Sequence, residues 1–99
     1  MQLAKVTGNL VATRKVPQYT GCKLMIVQPV TLDGKPEGGE KVAADVVGAG
    51  IGETVFLVEG SSARMAMPQD GVPVDCAIIA IVDEIEKNGK TVFSKGGEA

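Results

Sequence analysis

The sequence of 99 residues has no histidine and no tryptophan, and it has only three aromatic side chains, one tyrosine and two phenylalanines. Because histidine is the commonest general base and the commonest metal ligand, its absence removes the usual means of acid–base catalysis and of metal binding. Single-stranded nucleic-acid binding needs aromatic platforms in a positive groove. Three aromatics, scattered basic residues and a formal net charge of −2 therefore disfavour a nucleic-acid partner.

Cysteine and long apolar runs are also scarce. Cys22 and Cys76 lie far apart and neither belongs to a C-x-x-C pair, so in a reducing compartment they behave as small hydrophobic side chains. No apolar run approaches the ~20 residues that span a bilayer, and the first residues alternate in polarity instead of forming a signal peptide. We expect a cytoplasmic protein without a metal, a cofactor or a membrane partner.

No credible catalytic group of residues occurs in the sequence. Glu84 and Glu86 share one face of a predicted strand, where they more simply form a solvated edge than an acid–base pair. Ser61 and Ser62 have no histidine or suitably spaced lysine to act as a base. The sequence therefore predicts a protein that is not an enzyme and has no catalytic residues.

Hydrophobic residues make up 44 % of the chain, and most of them are Val, Ile, Leu and Ala. Ninety-nine residues suffice for one domain with a marginal core. We expect a single domain over residues 1–95 and a frayed tail over residues 96–99. Small core side chains each bury little area, so a chain of this kind gains from burying more surface by association.

Runs of apolar and β-branched residues predict an all-β protein. The strands are expected over residues 3–13, 23–30, 41–47, 54–59, 75–85 and 91–94. Gly8 indicates a bulge in the first strand, residues 14–21 a polar loop, and Asn88-Gly89 a type I′ turn before the last strand. Residues 60–66 predict one short helix, with Ser61 or Ser62 as its N-cap. Pro68, Gly71 and Pro73 end this helix. Five to six strands with one helix favour a small OB-like β-barrel.

Three glycines at alternate positions, Gly48, Gly50 and Gly52, precede the apolar run of residues 54–58. Glycine suits a backbone that takes positive φ or approaches another backbone closely, and we expect such crowding at Gly50. A dinucleotide-binding loop would need a third glycine where Glu53 stands and a helix after it. The pattern therefore favours a tight turn in a β protein over a nucleotide site.

Arg64 follows the two serines and lies among methionines rather than in the lysine-rich loops. Its planar guanidinium suits bidentate pairing with a carboxylate at a partly buried position. One hypothesis pairs Arg64 with Asp75 or Asp83 of its own chain, or with Glu53 of a neighbouring chain. The alternative is an exposed helix residue.

Several segments together carry a resemblance that covers nearly the whole chain. They are residues 1–8 (MQLAKVTG), 23–24 (KL), 47–53 (VGAGIGE), 60–64 (GSSAR), 73–75 (PVD) and 80–83 (AIVD). This pattern resembles the EutN/CcmL family, the pentameric vertex proteins of bacterial microcompartment shells. One departure is Val46, where family members usually carry a polar residue, often Asn.

The resemblance implies a β-barrel subunit of a homopentamer that caps the vertices of a microcompartment shell, beside hexameric shell proteins. It assigns to the pentamer interface or the five-fold axis the loop residues Gly48, Ala49, Gly50, Ile51, Gly52 and Glu53. Candidates for ordering the helix and for ion pairs are Ser61, Ser62, Arg64, Asp75 and Asp83. The alternative is an OB-fold-type nucleic-acid or ligand-binding module.

Overall fold

The computed structural model of the chain describes residues 1–13, 15, 17, 21–68 and 73–95. Within these ranges the elements are β1 (Gln2–Leu10), β2 (Lys23–Val30), β3 (Lys41–Asp45), β4 (Thr54–Glu59), α1 (Ser61–Ala66), β5 (Cys76–Ile81), β6 (Glu84–Lys87) and β7 (Lys90–Ser94). Most of the predicted polar loop over residues 14–21 and the whole predicted tail over residues 96–99 lie outside them.

Five strands form a closed barrel in the order β1-β2-β3-β5-β4, in which β4 pairs again with β1. All neighbours are antiparallel except β3 and β5, which run parallel. Closure leaves no unpaired edge in the barrel. The prediction of an all-β protein with a small barrel and one short helix is confirmed.

Alternation of side chains along the strands builds an apolar layer on each face of part of the sheet. The inner cluster, which fills the barrel, consists of Ala4, Val6, Met25, Val27, Ala43, Ala49, Val55, Leu57, Cys76 and Ile78. The outer cluster consists of Ala44, Val58, Ala63, Val74 and Ala77. Ala63 belongs to α1, so the helix covers the outer face of β4 and β5.

The predicted bulge in the first strand is confirmed, because the register of β1 against β2 shifts between Val6 and Gly8. Ile26 packs over β1 at this point, since a Cβ at Gly8 would lie 3.5 Å from Ile26 Cδ1, an ordinary contact distance. Both cysteines are free, Cys22 half-buried and Cys76 buried. Burial is the main cause that raises the pKa of the Cys76 thiol, which agrees with its predicted role as a small hydrophobic side chain.

The predicted strand over residues 75–85 is wrong as a single element. β5 ends at Ile81, which pairs with Val55 at the beginning of β4, so the partner strand runs out there. β6 then pairs with β7 in a separate two-stranded sheet, here called the C-terminal hairpin (residues 84–94). Its turn has positive φ at Asn88 (55°) and Gly89 (74°), as the predicted type I′ turn requires.

The predicted short helix is present, but its serine cap is not. The N-cap is Gly60, with φ 65° and ψ −139°, and no side chain caps the helix. That backbone conformation is essentially restricted to glycine, so neither serine can replace Gly60 as the N-cap. Ser61 and Ser62 are instead the first two residues of the helix, and both are exposed. At the other end Met67 is extended, as expected of a residue that precedes a proline. Of the predicted terminators, Gly71 lies outside the described residues.

Candidate functional site

The glycine loop, defined as residues 46–53, connects β3 to β4. These strands are not neighbours, because β5 lies between them in the barrel, so the loop passes across one end of the barrel. Ala49 is fully buried and belongs to the inner cluster. The loop therefore closes one end of the core.

Asp45, the last residue of β3, organises the loop. Its Oδ1 accepts hydrogen bonds from the backbone N–H of Val47 and of Gly48, both at 3.0 Å, and its Oδ2 accepts one from Ala49 at 2.8 Å. The side chain is 0 % exposed, and Lys23 Nζ lies 3.6 Å from Oδ2. Sequence reasoning missed Asp45, although an Asp three residues before the first glycine of a glycine-rich turn is a signal of an Asx-type turn.

The loop amides are thus occupied by the protein's own carboxylates. Besides the three N–H groups that Asp45 binds, the N–H of Gly50 donates to Oε1 of Glu53 at 2.6 Å. A phosphate would have to displace two negative charges to reach these donors. Both the spacing of the glycines and the occupied N–H groups of the loop therefore disfavour nucleotide binding.

The glycines serve two purposes. Gly48 and Gly52 have φ of +79° and +90°, and a Cβ at either position would meet nothing within 4 Å, so these two are needed for conformation and not for space. Gly50 does not have positive φ, and its Cβ would lie 3.4 Å from Oε1 of Glu53. The expected crowding of backbones at Gly50 is therefore wrong within the chain, where the nearest group is a carboxylate.

Glu53 connects the loop to the C-terminal end of the hairpin. Its Oε2 lies 2.8 Å from Lys95 Nζ, and its side chain is 23 % exposed. The hydrogen-bonded ion pair with Lys95, and then the bond from the Gly50 N–H, lower the pKa of Glu53, while Glu53 raises the pKa of Lys95. Its backbone also pairs with β1, because the carbonyl of Glu53 accepts from the N–H of Val6 at 2.9 Å.

The loop presents apolar side chains to solvent. Ile51 is 61 % exposed and Val47 is 38 % exposed. Val42, on the strand that leads into the loop, is 44 % exposed. Ile51 lies between Gly50 and Gly52, which have no side chains. The exposed surface of this part of the loop is therefore mainly the apolar side chain of Ile51.

The ion-pair candidates are dispersed. Arg64 is exposed and forms no ion pair with any carboxylate in the described part of the chain, so the pairs predicted with Asp75 and with Asp83 are absent. Asp83 instead lies 3.8 Å from Lys95 Nζ, and Asp75 is exposed. A pair between Arg64 and Glu53 of a neighbouring chain stays a prediction.

The described ranges show neither a metal-binding cluster nor a membrane-spanning helix. No group of three or more histidine, cysteine, aspartate or glutamate residues there could hold a metal ion. The same residues include no helix with the length and hydrophobicity needed to cross a membrane.

A family model, a curated protein and a solved structure all relate this chain to the same family. The EutN/CcmL family model, described as ethanolamine utilisation protein EutN/carboxysome, matches residues 1–83. The shell vertex protein EutN of Salmonella typhimurium is 46 % identical over 95 residues, which cover 96 % of each chain. A solved ethanolamine utilization protein EutN superposes with a TM-score of 0.90 at 44 % identity, covering 96 % of this chain and 99 % of that one.

A third relative is described by its assembly. The structure of GrpN, a pentameric microcompartment shell protein from Rhodospirillum rubrum, superposes with a TM-score of 0.79 at 40 % identity, covering 88 % of this chain and 99 % of that one. The matched family model and the relatives that align over nearly the whole length show that this chain belongs to the EutN/CcmL family.

Proposed function

We propose that this protein is a structural subunit that assembles into a homopentamer and caps the vertices of a bacterial microcompartment shell, beside hexameric shell proteins. The observation that carries the proposal is the superposition with EutN over 96 % of the chain at 44 % identity. At that identity the surfaces as well as the core are expected to be shared. The glycine loop then lies at a subunit contact or near the five-fold axis, where neighbouring copies cover Ile51 and Val47.

The chain acts by occupying space and not by chemistry. Histidine is absent from the sequence, and the carboxylates of Asp45 and Glu53 are committed to backbone N–H groups and to lysines. Groups held in this way position a loop, and they offer no free base or nucleophile. We infer that the protein has no catalytic activity of its own.

The mass of the purified protein tests the assembly. Five copies of the 10.2 kDa chain form a species of about 51 kDa, because a heterologous contact that closes into a ring leaves no unsatisfied interface. Native mass spectrometry and light scattering measure it. A stable monomer at micromolar concentration would contradict the proposal and favour the alternative of a binding module.

A second experiment tests the shell and the alternative. Hexagonal sheets need five-fold vertices to close, so hexameric shell proteins expressed with this chain should yield closed particles under the electron microscope. Expressed without it, they should yield open sheets or tubes. Mobility shift with single-stranded DNA at low salt, where electrostatic binding is strongest, should show no saturable binding at submicromolar protein.

A further inference from the structure

One carboxylate holds two segments that are distant in sequence. Oε1 of Glu53 accepts from the Gly50 N–H in the glycine loop at 2.6 Å. Oε2 of the same group lies 2.8 Å from Nζ of Lys95, the residue after β7. The two oxygens therefore connect the loop to the end of the C-terminal hairpin.

Lys95 also closes the base of the hairpin. Its backbone N–H donates to the carbonyl of Asp83 at 2.7 Å, and its Nζ lies 3.8 Å from the carboxylate of Asp83. Asp83 precedes β6 and Lys95 follows β7, so the two ends of the hairpin are joined at this point. A two-stranded hairpin is marginally stable by itself, so its orientation depends on the contacts at its base.

We propose that Glu53 is a positioning residue that couples the conformation of the glycine loop to the position of the C-terminal hairpin. The group of Gly50, Glu53 and Lys95 is called the latch below. Lys95 holds the carboxylate in the orientation that the Gly50 N–H requires, and the Gly50 N–H holds it in the orientation that Lys95 requires. In so far as the loop meets a neighbouring subunit, the latch rests on the proposed function; the coupling within one chain does not.

The surroundings of Glu53 favour its charged form. Lys95 and, at longer range, Lys23 attract the carboxylate, while Asp83 shares Lys95 and so competes for it. The side chain of Lys95 is 49 % exposed, and half-exposed pairs of this kind are individually weak. The latch therefore adjusts the loop and the hairpin and does not hold the fold together.

Hydrogen–deuterium exchange of single amides, measured by NMR, tests the coupling. Lys95→Met removes the cation, which contacts the carboxylate of Glu53 and not the Gly50 N–H. The Gly50 amide should then exchange about two- to fivefold faster, the range expected for loss of an exposed pair. The control is Lys41→Met, which breaks the ion pair between Lys41 and Glu59, of similar length (2.7 Å) and with a similarly exposed lysine. This variant should leave the Gly50 amide unchanged.

Glu53→Gln distinguishes coupling from two independent contacts. It retains an oxygen for the Gly50 N–H but loses the charge that attracts Lys95. If the three groups act as a unit, Glu53→Gln and Lys95→Met should change the exchange of the Gly50 amide and of the backbone amide at position 95 by similar factors. The double variant should add little to either.

Two results would overturn the latch. One is an unchanged Gly50 amide in Lys95→Met, and the other is strictly additive effects in the double variant. The mass of each variant is measured separately. A monomeric parent protein would contradict the proposed function, and the exchange data would still test the coupling within one chain. A pentameric parent protein in which Lys95→Met leaves the exchange rate of the Gly50 amide unchanged would contradict the latch alone.

Discussion

The carboxylate of Asp45 accepts a hydrogen bond from the backbone N–H of Ala49 at 2.8 Å, and neither the Asp45 side chain nor Ala49 is exposed to solvent. The bond joins the end of β3 to the residue that closes one end of the barrel. A buried polar pair is costly to leave half-made. We therefore regard Asp45 as the residue on which the shape of the glycine loop depends.

Replacement of Asp45 should destabilise the protein. Asp45→Ala leaves three N–H groups without their acceptor, and we expect the free energy of unfolding to fall by about 1–3 kcal/mol. Asp45→Asn should also be destabilised, because its amide places a donor where one of two accepting oxygens stood. Chemical denaturation measures both. Asp33→Ala is the control, because Asp33 is exposed and its carboxylate accepts no hydrogen bond from the described residues; an equal loss there would refute the assignment.

The glycines of the loop should respond differently to alanine. Gly48→Ala and Gly52→Ala force a Cβ into positive φ and should each cost about 1–2 kcal/mol of stability. Gly50→Ala lacks that strain and should melt close to the parent, since only the Glu53 carboxylate stands near its Cβ. If Gly50 nonetheless meets a neighbouring subunit, Gly50→Val should weaken the pentamer more than the fold. A Gly50→Val protein with unchanged mass and melting would remove Gly50 from the interface.

Replacement of Arg64 shows whether this residue is an exposed surface residue or forms an ion pair with a neighbouring subunit. Within the chain Arg64 is exposed and has no carboxylate partner in the described residues, so Arg64→Ala should change the free energy of unfolding of one subunit by less than about 0.5 kcal/mol. A pair with a neighbouring carboxylate would instead shift the pentamer towards smaller species on dilution, for both Arg64→Ala and Arg64→Lys. Native mass spectrometry across a dilution series decides between the two, and unchanged mass for both variants would exclude the intersubunit pair.

The contribution of the latch to stability should depend on acidity in a defined direction. Lys95 and Gly50 lower the pKa of Glu53 in the folded chain, so the unfolded chain binds protons more tightly at this site. The stabilisation is complete above the pKa of the unfolded chain and is lost as the pH falls through the lower, folded pKa. The difference in melting temperature between the parent and Glu53→Gln should be constant near neutral pH and shrink below about pH 4. A difference that grows on acidification would contradict this assignment.

Local patterns in the sequence were sufficient for much of the secondary structure. The limits of β2 and β4 follow from their apolar runs, and the bulge in β1 lies at the predicted Gly8. The type I′ turn at Asn88-Gly89 follows from the tolerance of asparagine and glycine for positive φ. The family resemblance carried by the whole chain is likewise a property of the sequence. These features depend on neighbouring residues, so they can be inferred without the fold.

Tertiary structure decided where the strands belong and what the loop side chains do. Nothing in residues 75–85 marks the end of β5 at Ile81, because that end is set by where its partner β4 begins. The ion pair between Glu53 and Lys95 joins residues 42 positions apart. Whether Arg64 meets a carboxylate of its own chain depends on the direction in which the helix faces, and there Arg64 is exposed. Such contacts are fixed by the closure of the barrel in three dimensions. The sequence by itself therefore determined most of the elements and the family of this protein, while only the folded chain determined where β5 ends and which charges meet around the glycine loop.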